Sequence, residues 1–463
     1  MKARTRTAVT ALALLVAAAA AVGLAFLGVE KPRQAEEARK QAEEKVVALD
    51  PARATAIAVE AKGGTVRLAR APGQPWRVVA PVEAPADASA VQSLLDAVGG
   101  LARLSRVTDP GAPLAAFGLD PPRARVTISL EGGGEESIAL GTDNPFDTSV
   151  YVRAGQGGVD RVSGAARWSL EKDLFDLRDK RLLPLEEGAV TRLEVKGGKV
   201  PYVLARAGGG WRLASPLSDG ADEVAVGRIL GALRDLRATR FVDAPGQDRD
   251  RGLDRPRWTV KLTDPSGERV LVAGAGSRKE PGVLYARVAG ARALAAIPET
   301  ALAPLDADLL SLRDRSAVAF DHEKAAAVRI EAGGASIELQ KRPGSDGGLP
   351  AWSLTAPRAA PALAWKVSGL LFGLTSLRAT RFADETGARA AAYGLDRPTV
   401  VVTVLGAGGE ALGKLEVGRE EGETAFVRGS RSPRILEVTK ASLSQIPKSA
   451  EDLEEKPAPA PPG

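Results

Sequence analysis

The stretch Gly118-Leu119-Asp120-Pro121-Pro122 returns twice in the same form, as Gly252-Leu253-Asp254-Arg255-Pro256 and as Gly394-Leu395-Asp396-Arg397-Pro398. Glycine permits unusual backbone angles, aspartate can accept hydrogen bonds from nearby amides, and proline can begin an edge strand, so the stretch is typical of a turn. We therefore predict a structural role for it, with a ligand-facing aspartate in each copy as the alternative. The motif residues are Gly118, Leu119, Asp120, Pro122, Gly252, Leu253, Asp254, Pro256, Gly394, Leu395, Asp396 and Pro398.

Other landmarks surround this motif in the same order each time, which indicates an internal repeat. Upstream, Gly-Gly turns that begin at Gly63, Gly197 and Gly333 lie 134 and 136 residues apart and join alternating segments, which predicts β-hairpins. A tryptophan-led strand follows, and then a helix with apolar residues at i, i+3, i+4, i+7 and i+10. These helix residues are Val91, Leu94, Leu95, Val98 and Leu101, then Val226, Ile229, Leu230, Leu233 and Leu236, then Val367, Leu370, Leu371, Leu374 and Leu377.

Downstream of the motif each copy has alternating strands, and one of them carries an aromatic residue two positions before an arginine. Because the side chains of a strand alternate, both members of each pair lie on one sheet face. Such an arginine could bind an acidic or sugar ligand, or it could form a cross-strand pair at a sheet edge. The candidate ligand or partner face consists of Tyr151, Arg153, Tyr285, Arg287, Phe426 and Arg428.

Hairpins followed by a helix predict an α+β fold in which each repeat is an antiparallel sheet with helices packed on it. The predicted divisions are residues 1–7, a basic segment; 8–29, a transmembrane anchor; 30–52, a charged helical stalk; 53–185, 186–318 and 319–453, the three repeats; and 454–463, a disordered Pro/Ala tail.

The amino-terminal segment predicts the location of the protein. Lys2, Arg4 and Arg6 precede an uninterrupted run of apolar or small residues at positions 8–29, which is long enough to cross a bilayer as a helix. Basic residues before the span predict a single-pass protein of a bacterial inner membrane, with most of the chain in the periplasm or extracytoplasmic space. A cleavable signal peptide is the alternative, and it would export the chain as well.

The composition excludes several classes of site. The sequence has no cysteine and one histidine, so it has no disulfide, no cysteine nucleophile and no cysteine-based zinc site. Its 63 basic and 58 acidic residues are interleaved, whereas a nucleic-acid-binding protein usually has a basic patch. We therefore expect no nucleic-acid partner, no cofactor and no metal.

Three further features could carry chemistry, and each has a simpler interpretation. His322 lies where two repeats join and has no equivalent in the other copies, which indicates a linker histidine. The loop Asp143-Asn144-Pro145-Phe146-Asp147 is rich in oxygen ligands, but its spacing fits no EF-hand. Asp306 and Asp308 could be paired carboxylates, although alternate residues of a short helix diverge.

Taken together, the landmarks resemble the bacterial family catalogued as domain of unknown function 4340. The resemblance covers nearly all of residues 53–450, although the third copy lacks the Leu-Arg-Asp ending of the first two. Many members of that family are encoded beside gliding-type ABC transporter subunits, which implies an accessory role at an export or envelope complex. We expect a non-enzymatic scaffold or binding protein, with a carboxylate-dependent envelope glycan hydrolase or a glycan-binding module as the alternative.

Overall fold

The computed structural model describes residues 44–455 except 112, 245, 247, 277–279 and 343–350. The predicted anchor, the part of the stalk before residue 44 and the tail from residue 456 therefore lie outside the described residues. Within the described part of the chain, no helix has the length and apolar character needed to span a membrane.

The first repeat forms one nine-stranded antiparallel sheet with the strand order β4-β3-β2-β1-β6-β7-β8-β9-β5. The central pair joins Ile57 to Ile128 and Val59 to Val126 in register, so apolar residues of both strands face the same side. The strands are β1 Ala54–Ala61, β2 Gly64–Ala69, β3 Arg77–Ala80, β4 Ala84–Pro85, β5 Arg103–Arg106, β6 Ala124–Leu130, β7 Glu135–Asp143, β8 Ser149–Ala154 and β9 Val159–Ser163.

The second and third repeats form nine-stranded sheets with the same order of strands as the first. The second sheet has β10 Arg192–Gly197, β11 Tyr202–Ala207, β12 Gly210–Ser215, β13 Asp219–Gly220, β14 Arg240–Val242, β15 Trp258–Asp264, β16 Gly267–Ala273, β17 Val283–Val288 and β18 Leu294–Pro298. The third has β19 Ala327–Ala332, β20 Ala335–Arg342, β21 Ala351–Ala356, β22 Ala360–Pro361, β23 Arg381–Asp384, β24 Val400–Leu405, β25 Ala411–Glu421, β26 Thr424–Gly429 and β27 Ile435–Thr439.

One long helix in each repeat has its apolar face buried, which confirms the helix predicted from the i, i+3, i+4 spacing. The prediction was wrong at its last position, because Leu101, Leu236 and Leu377 lie after the helices end. In the first repeat Val91, Leu94 and Leu95 are fully buried and belong to one core with the strand residues Ile57 and Ile128. The α-helices are α1 Ala88–Gly99, α2 Ala166–Leu170, α3 Leu174–Leu177, α4 Glu223–Arg234, α5 Leu309–Leu312 and α6 Ala364–Ser376; the second and third repeats add the 3-10 segments Glu299–Leu305 and Lys440–Leu443.

The sheet of each repeat contains three strands that were not predicted from the sequence. The missed strands of the first repeat are β4, with two residues, β5 immediately after the long helix, and β9, whose sequence Val-Asp-Arg-Val-Ser is short and charged. β4 and β5 lie at the two edges of the sheet, and β5 pairs with a single strand, β9. Edge strands this short have little hydrophobic periodicity, so tertiary pairing decides their formation.

The repeated turn motif lies against a glycine of the neighbouring strand. Gly118, Gly252 and Gly394 have φ of +64°, +69° and +71°, the left-handed conformation that favours glycine. The residue before each of these glycines directs its carbonyl oxygen at a second glycine: Phe117 at Gly141, Arg251 at Gly274 and Tyr393 at Gly418. A Cβ atom on the second glycine would lie 2.1, 2.4 or 2.2 Å from that oxygen, respectively, so each repeat needs a strand glycine for its turn to pack.

We expect Gly418→Ala to destabilise the third repeat by roughly 2 kcal/mol, because the backbone oxygen of Tyr393 cannot move away from the new methyl group without displacing the turn. Urea denaturation measures the loss. The matched control is Gly227→Ala in α4, where a Cβ meets no atom within 4 Å. That helical substitution should stabilise the protein by up to about 1 kcal/mol. Equal effects of the two substitutions would contradict the proposed packing.

The chain divides into two compact units whose limits differ from those of the repeats. The first unit runs up to Leu182 and also contains Leu236–Asp250 and Val283–Pro298. The second contains Leu183–Asp235, Arg251–Gly282 and the chain from Glu299. The first unit therefore contains most of the first repeat together with part of the second, and the second unit contains the rest of the second repeat together with the third.

Candidate functional site: arginine junctions between the repeats

The first repeat ends in an arginine that binds the second repeat. Helix α3 begins at a capping box formed by Asp173 and Asp176, and Arg178 follows its last residue. The Nη1 atom of Arg178 donates to Oδ1 of Asp243 at 2.6 Å, and its guanidinium lies 3.6 Å from the ring centre of Phe241. Arg178 is only 8% exposed, so this cation is largely withdrawn from water and matched by one carboxylate and one aromatic face.

The second repeat also ends in an arginine that contacts the next repeat, and this arginine has more charged partners. Arg313 follows helix α5 and is 8% exposed. Its Nη1 and Nη2 atoms donate to the two carboxylate oxygens of Glu385 at 2.8 and 2.7 Å. Its Nε atom donates to Asp219 at 2.6 Å, and its guanidinium lies 4.0 Å from the ring centre of Phe382. Bidentate pairing of this kind fixes orientation as well as distance.

A second arginine completes this junction. Nη1 of Arg434 lies 2.9 Å from Asp219, and its Nε lies 3.2 Å from Glu385. Two arginines and two carboxylates therefore surround Phe382, with the Arg434 guanidinium 5.2 Å from the ring centre. Arg313 and Asp219 are buried whereas Glu385 is half-exposed, and each buried charge has a partner of opposite sign, as its burial requires.

The residues after each junction arginine form a strap that pairs with the segment following the long helix of the next repeat. At the first junction the amide of Ala238 donates to the carbonyl of Lys180 at 2.8 Å, and at the second the amide of Ala379 donates to Arg315 at 2.9 Å. The first repeat has a strap as well, because the amide of Val46 donates to the carbonyl of Leu101 at 2.9 Å. Apolar strap residues are buried in all three: Val46 and Val47, Leu182 and Leu183, and Ala317 and Val318.

The first and third repeats each lack one of the two residues that form a junction, which are the arginine and the phenylalanine that receives it. The isolated β-bridges Ala86–Arg178, Ala221–Arg313 and Ala362–Glu454 are equivalent in the three repeats. Glu454 of the third repeat therefore occupies the position that an arginine occupies in the other two. Glu454 pairs with Arg358 of its own repeat. In the first repeat Arg106 occupies the position of the receiving phenylalanine and pairs with Asp160 at 2.6 Å. The arginine is thus present in copies one and two, and the aromatic residue in copies two and three.

Sequence reasoning missed this site, although the sequence contains a signal for it. Arg-Phe-x-Asp follows the long helix at Arg240–Asp243 and Arg381–Asp384 and is absent from copy one. Leu-Arg-Asp ends copies one and two and is absent from copy three. One motif is thus missing from the first copy and the other from the last copy. This distribution is expected if the end of each copy contacts the next copy through these two motifs.

Arginine contacts lower the pKa values of the carboxyl groups at the second junction. Hydrogen bonds from Arg313 lower the pKa of Glu385, and burial opposes the shift only in part. Burial alone would raise the pKa of Asp219, but hydrogen bonds from Arg313 and Arg434 outweigh it and leave the pKa below its ordinary value. Both groups are therefore charged at neutral pH, and the ion-pair cluster is complete there.

In the first and third repeats, the aromatic residue of the aromatic-x-Arg pair packs against the aromatic residue that directly precedes the repeated turn. Phe426 is 4% exposed and its ring lies 4.7 Å from that of Tyr393, while Tyr151 packs edge-on against Phe117 at 5.1 Å. Tyr285 is 2% exposed, and its hydroxyl accepts a hydrogen bond from Arg240 at 2.8 Å. In the described structure these aromatic rings are occupied by contacts within their own repeats.

The arginines of the three pairs have separate environments. Arg428 pairs with Glu416 across neighbouring strands at 2.7 Å, which is the cross-strand arrangement considered above. Arg153 donates to the carbonyl of Gly157 at 2.9 Å, and Arg287 is half-buried. In the turn motif Leu119, Leu253 and Leu395 are buried, while Asp120, Asp254 and Asp396 are exposed. The structure therefore does not bring these arginines and aspartates together into one site.

The remaining candidate residues have local partners. Nε2 of His322 lies 2.6 Å from Oγ1 of Thr375. Asp306 pairs with Arg257 at 2.6 Å, and Asp308 accepts the amide of Ser311 as the N-cap of α5, so the two carboxylates serve different contacts. In the oxygen-rich loop Asp147 accepts from Ser149 and Asn144.

We expect Arg313→Ala to lower the free energy of unfolding by about 3 kcal/mol, because it leaves Asp219 buried with fewer partners. Arg313→Lys should recover little of that lost stability, since an ammonium group cannot reproduce the bidentate pair with Glu385. The matched control is Arg329→Ala, which removes an exposed pair with Glu338 and should cost no more than about 0.5 kcal/mol. Urea denaturation compares the variants, and equal losses at positions 313 and 329 would refute the role of the junction.

The second junction should weaken in acid. The folded-state pKa values of Glu385 and Asp219 are lowered, so their stabilising contribution is present above the unfolded-state pKa, near 4, and is lost as pH falls through the folded-state values. The stability difference between wild type and Arg313→Ala should therefore narrow as pH falls from about 5 to about 3. Urea titrations at stepped pH measure this difference, and a constant difference would contradict the assignment.

Comparison with known proteins gives one family. Three stretches of the chain, residues 76–248, 211–349 and 352–457, match the family model described as "Domain of unknown function (DUF4340)". No curated protein and no solved structure matches the chain significantly.

Proposed function

The chain belongs to the DUF4340 family, whose description gives no function, and we propose that it is a non-enzymatic, membrane-anchored scaffold or binding protein of the extracytoplasmic space. In this proposal the three repeats present a partner-binding surface, and the partner is a subunit of an ABC-type export or envelope complex. The proposal concerns the whole chain, including the apolar segment at residues 8–29.

The junction chemistry carries this proposal. Arg178 and Arg313 are two of the few charged residues that are buried in the described part of the chain, and both join one repeat to the next. Directional ion pairs constrain the orientation at each joint more than a flexible linker would. Tandem domains with constrained joints are well suited to presenting an extended surface to a partner.

The carboxyl groups also favour a binding function over glycan hydrolysis. A glycosidase needs one carboxyl group with a raised pKa to donate a proton to the leaving oxygen. Among the described residues, every carboxyl group whose pKa departs clearly from its ordinary value has a lowered pKa. Such groups are charged at neutral pH and suit ion pairing better than proton donation.

A glycan-binding module is the second candidate, and one observation favours it. A groove of about 360 Å³ beside the first junction is lined by Phe175, Phe241, Arg178 and Arg240, among others. Aromatic faces and arginine donors together are a common means of binding sugars that carry acidic groups. The rings of Phe175 and Phe241 have centroids 6.2 Å apart.

The membrane location rests on the sequence. Lys2, Arg4 and Arg6 precede the apolar segment, which predicts that the repeats are exported and remain attached. An accessory role beside a transporter follows from the family resemblance, because such subunits act at the same membrane.

We expect crosslinking of the full-length protein in native membranes, followed by purification and mass spectrometry, to recover transporter or envelope subunits reproducibly. Recovery should fall when residues 1–30 are replaced by a cleavable signal, because the protein then leaves the membrane. It should also fall for Arg313→Ala, which releases the second junction, and should persist for the surface control Arg329→Ala.

Repeated recovery of the protein without any partner would contradict the scaffold proposal. In that case titration with acidic glycans would test the second candidate, with Phe241→Ala removing one wall of the groove and Phe146→Ala, at an exposed site that is not among the groove-lining residues, as the matched control.

A further inference from the structure

The first repeat exposes two large aromatic side chains. Phe146 lies in the loop between β7 and β8 and is 91% exposed, and Trp168 lies in α2 and is 70% exposed. Each ring leaves most of its apolar surface in water, which costs free energy, so the positions of the two rings are informative.

The loop that carries Phe146 lies beside the turn that leads into α2. Ser149, the first residue of β8, pairs with Ser163, the last residue of β9. A Cβ atom on Gly164, the next residue, would clash with the carbonyl oxygen of Thr148, so the two segments are in close contact. Both aromatic side chains therefore belong to the same end of the first sheet.

Arginines accompany both rings. The guanidinium of Arg167 lies 4.8 Å from the ring centre of Trp168 and pairs with Asp143 at 3.0 Å. In the loop, Arg161 pairs with Asp147 at 3.3 Å, so the carboxylates beside the two rings are matched by cations. Tryptophan and arginine side chains are both suited to the headgroup region of a bilayer, because each combines an apolar or planar body with hydrogen-bond donors.

The chain enters the first repeat at this end of the sheet. Lys45 forms a β-bridge with Ala102, which directly precedes β5, and the start of β5 pairs with the end of β9. The entry point is therefore three strand spacings, or about 14 Å, from the start of β8. The fourteen residues 30–43 limit the distance between the apolar run at 8–29 and the first repeat to about 50 Å.

The second and third repeats lack this aromatic pair. The equivalent bridge positions 178, 313 and 454 are each preceded, ten residues earlier, by Trp168, Ala303 and Ser444, respectively. The connections that correspond to the Phe146 loop, residues 274–282 and 422–423, contain no aromatic residue. The pair is therefore not needed for the fold of a repeat, and it occurs in the repeat that follows the apolar run.

We propose that this aromatic face, defined by Phe146 and Trp168, docks on the surface of a phospholipid bilayer with both rings in the headgroup region. The inference rests on the proposed membrane location and goes beyond it, because an anchor alone leaves the first repeat in water. Two rings and their arginines give only weak binding by themselves. A tether of limited length raises the effective concentration of the bilayer at this face, so weak binding suffices.

The test uses the full-length protein reconstituted into vesicles of phosphatidylglycerol and phosphatidylcholine with brominated acyl chains, which quench tryptophan fluorescence on contact. Of the six tryptophans, Trp168 and Trp365 are exposed and the other four are buried. We expect brominated lipid to quench the wild-type protein. Quenching should be lost in Trp168→Phe and retained in Trp365→Phe, which is the matched control.

Two further changes examine how the face is held. Phe146→Ser should weaken the quenching of Trp168, because one of the two rings no longer enters the bilayer. Val224→Ser, which replaces an exposed apolar residue of the second repeat, should leave the quenching unchanged. Vesicles of phosphatidylcholine alone should quench Trp168 less, since the arginines then have no anionic headgroups to contact.

Flotation of the same vesicles separates this inference from the proposed anchor. Protein that floats with the vesicles while brominated lipid leaves Trp168 unquenched would overturn the docking and would leave the anchor intact. Protein that does not float would overturn both. Shielding of Trp168 from aqueous acrylamide that increases with protein concentration in detergent would assign the face to a second copy of the chain, and would also overturn the docking.

Discussion

The packing of a guanidinium group on a phenylalanine ring, with a carboxylate to neutralise it, is the contact on which the joining of these repeats depends. Arg178 makes it with Phe241 and Asp243, and Arg313 makes it with Phe382 and Glu385. An arginine this far withdrawn from water is tolerated only where its charge is matched. A small displacement of either repeat would leave charges buried without partners, so the contact selects one arrangement of the joint.

The sheet supplies the geometry that this contact requires. The receiving phenylalanine lies on the short strand that follows the long helix, at the edge of its sheet, and the strap before the repeat pairs with the start of the same segment. Backbone hydrogen bonds fix the position of the strap beside this segment, and apolar strap residues such as Leu182 and Leu183 are buried. The ion pair then forms between side chains whose backbones are already in place.

Much of the repeat could be predicted from the sequence, because its signals are local. The long helices have an apolar face that recurs every three to four residues, and the hairpins have Gly-Gly turns between alternating strands. The strands β4, β5 and β9 could not be predicted, since they are short and their pairing is decided by partners distant in sequence. Likewise, alternation placed Tyr285 and Arg287 on one face, but the burial of Tyr285 and its hydrogen bond with Arg240 are tertiary properties that no pattern specifies.

At each junction one copy contributes the arginine and the next copy contributes the phenylalanine. This division has a consequence for assembly. Were the arginine present in all three copies and the receiving phenylalanine as well, the first and last repeats would carry complementary unpaired surfaces, and surfaces of this kind can generate open filaments. Instead Glu454 is satisfied by Arg358, Arg106 by Asp160, and the first strap position is filled by Val46. Among the described residues, both of these positions are therefore paired within their own repeats, and the contact that joins the repeats provides no route to head-to-tail polymerisation there.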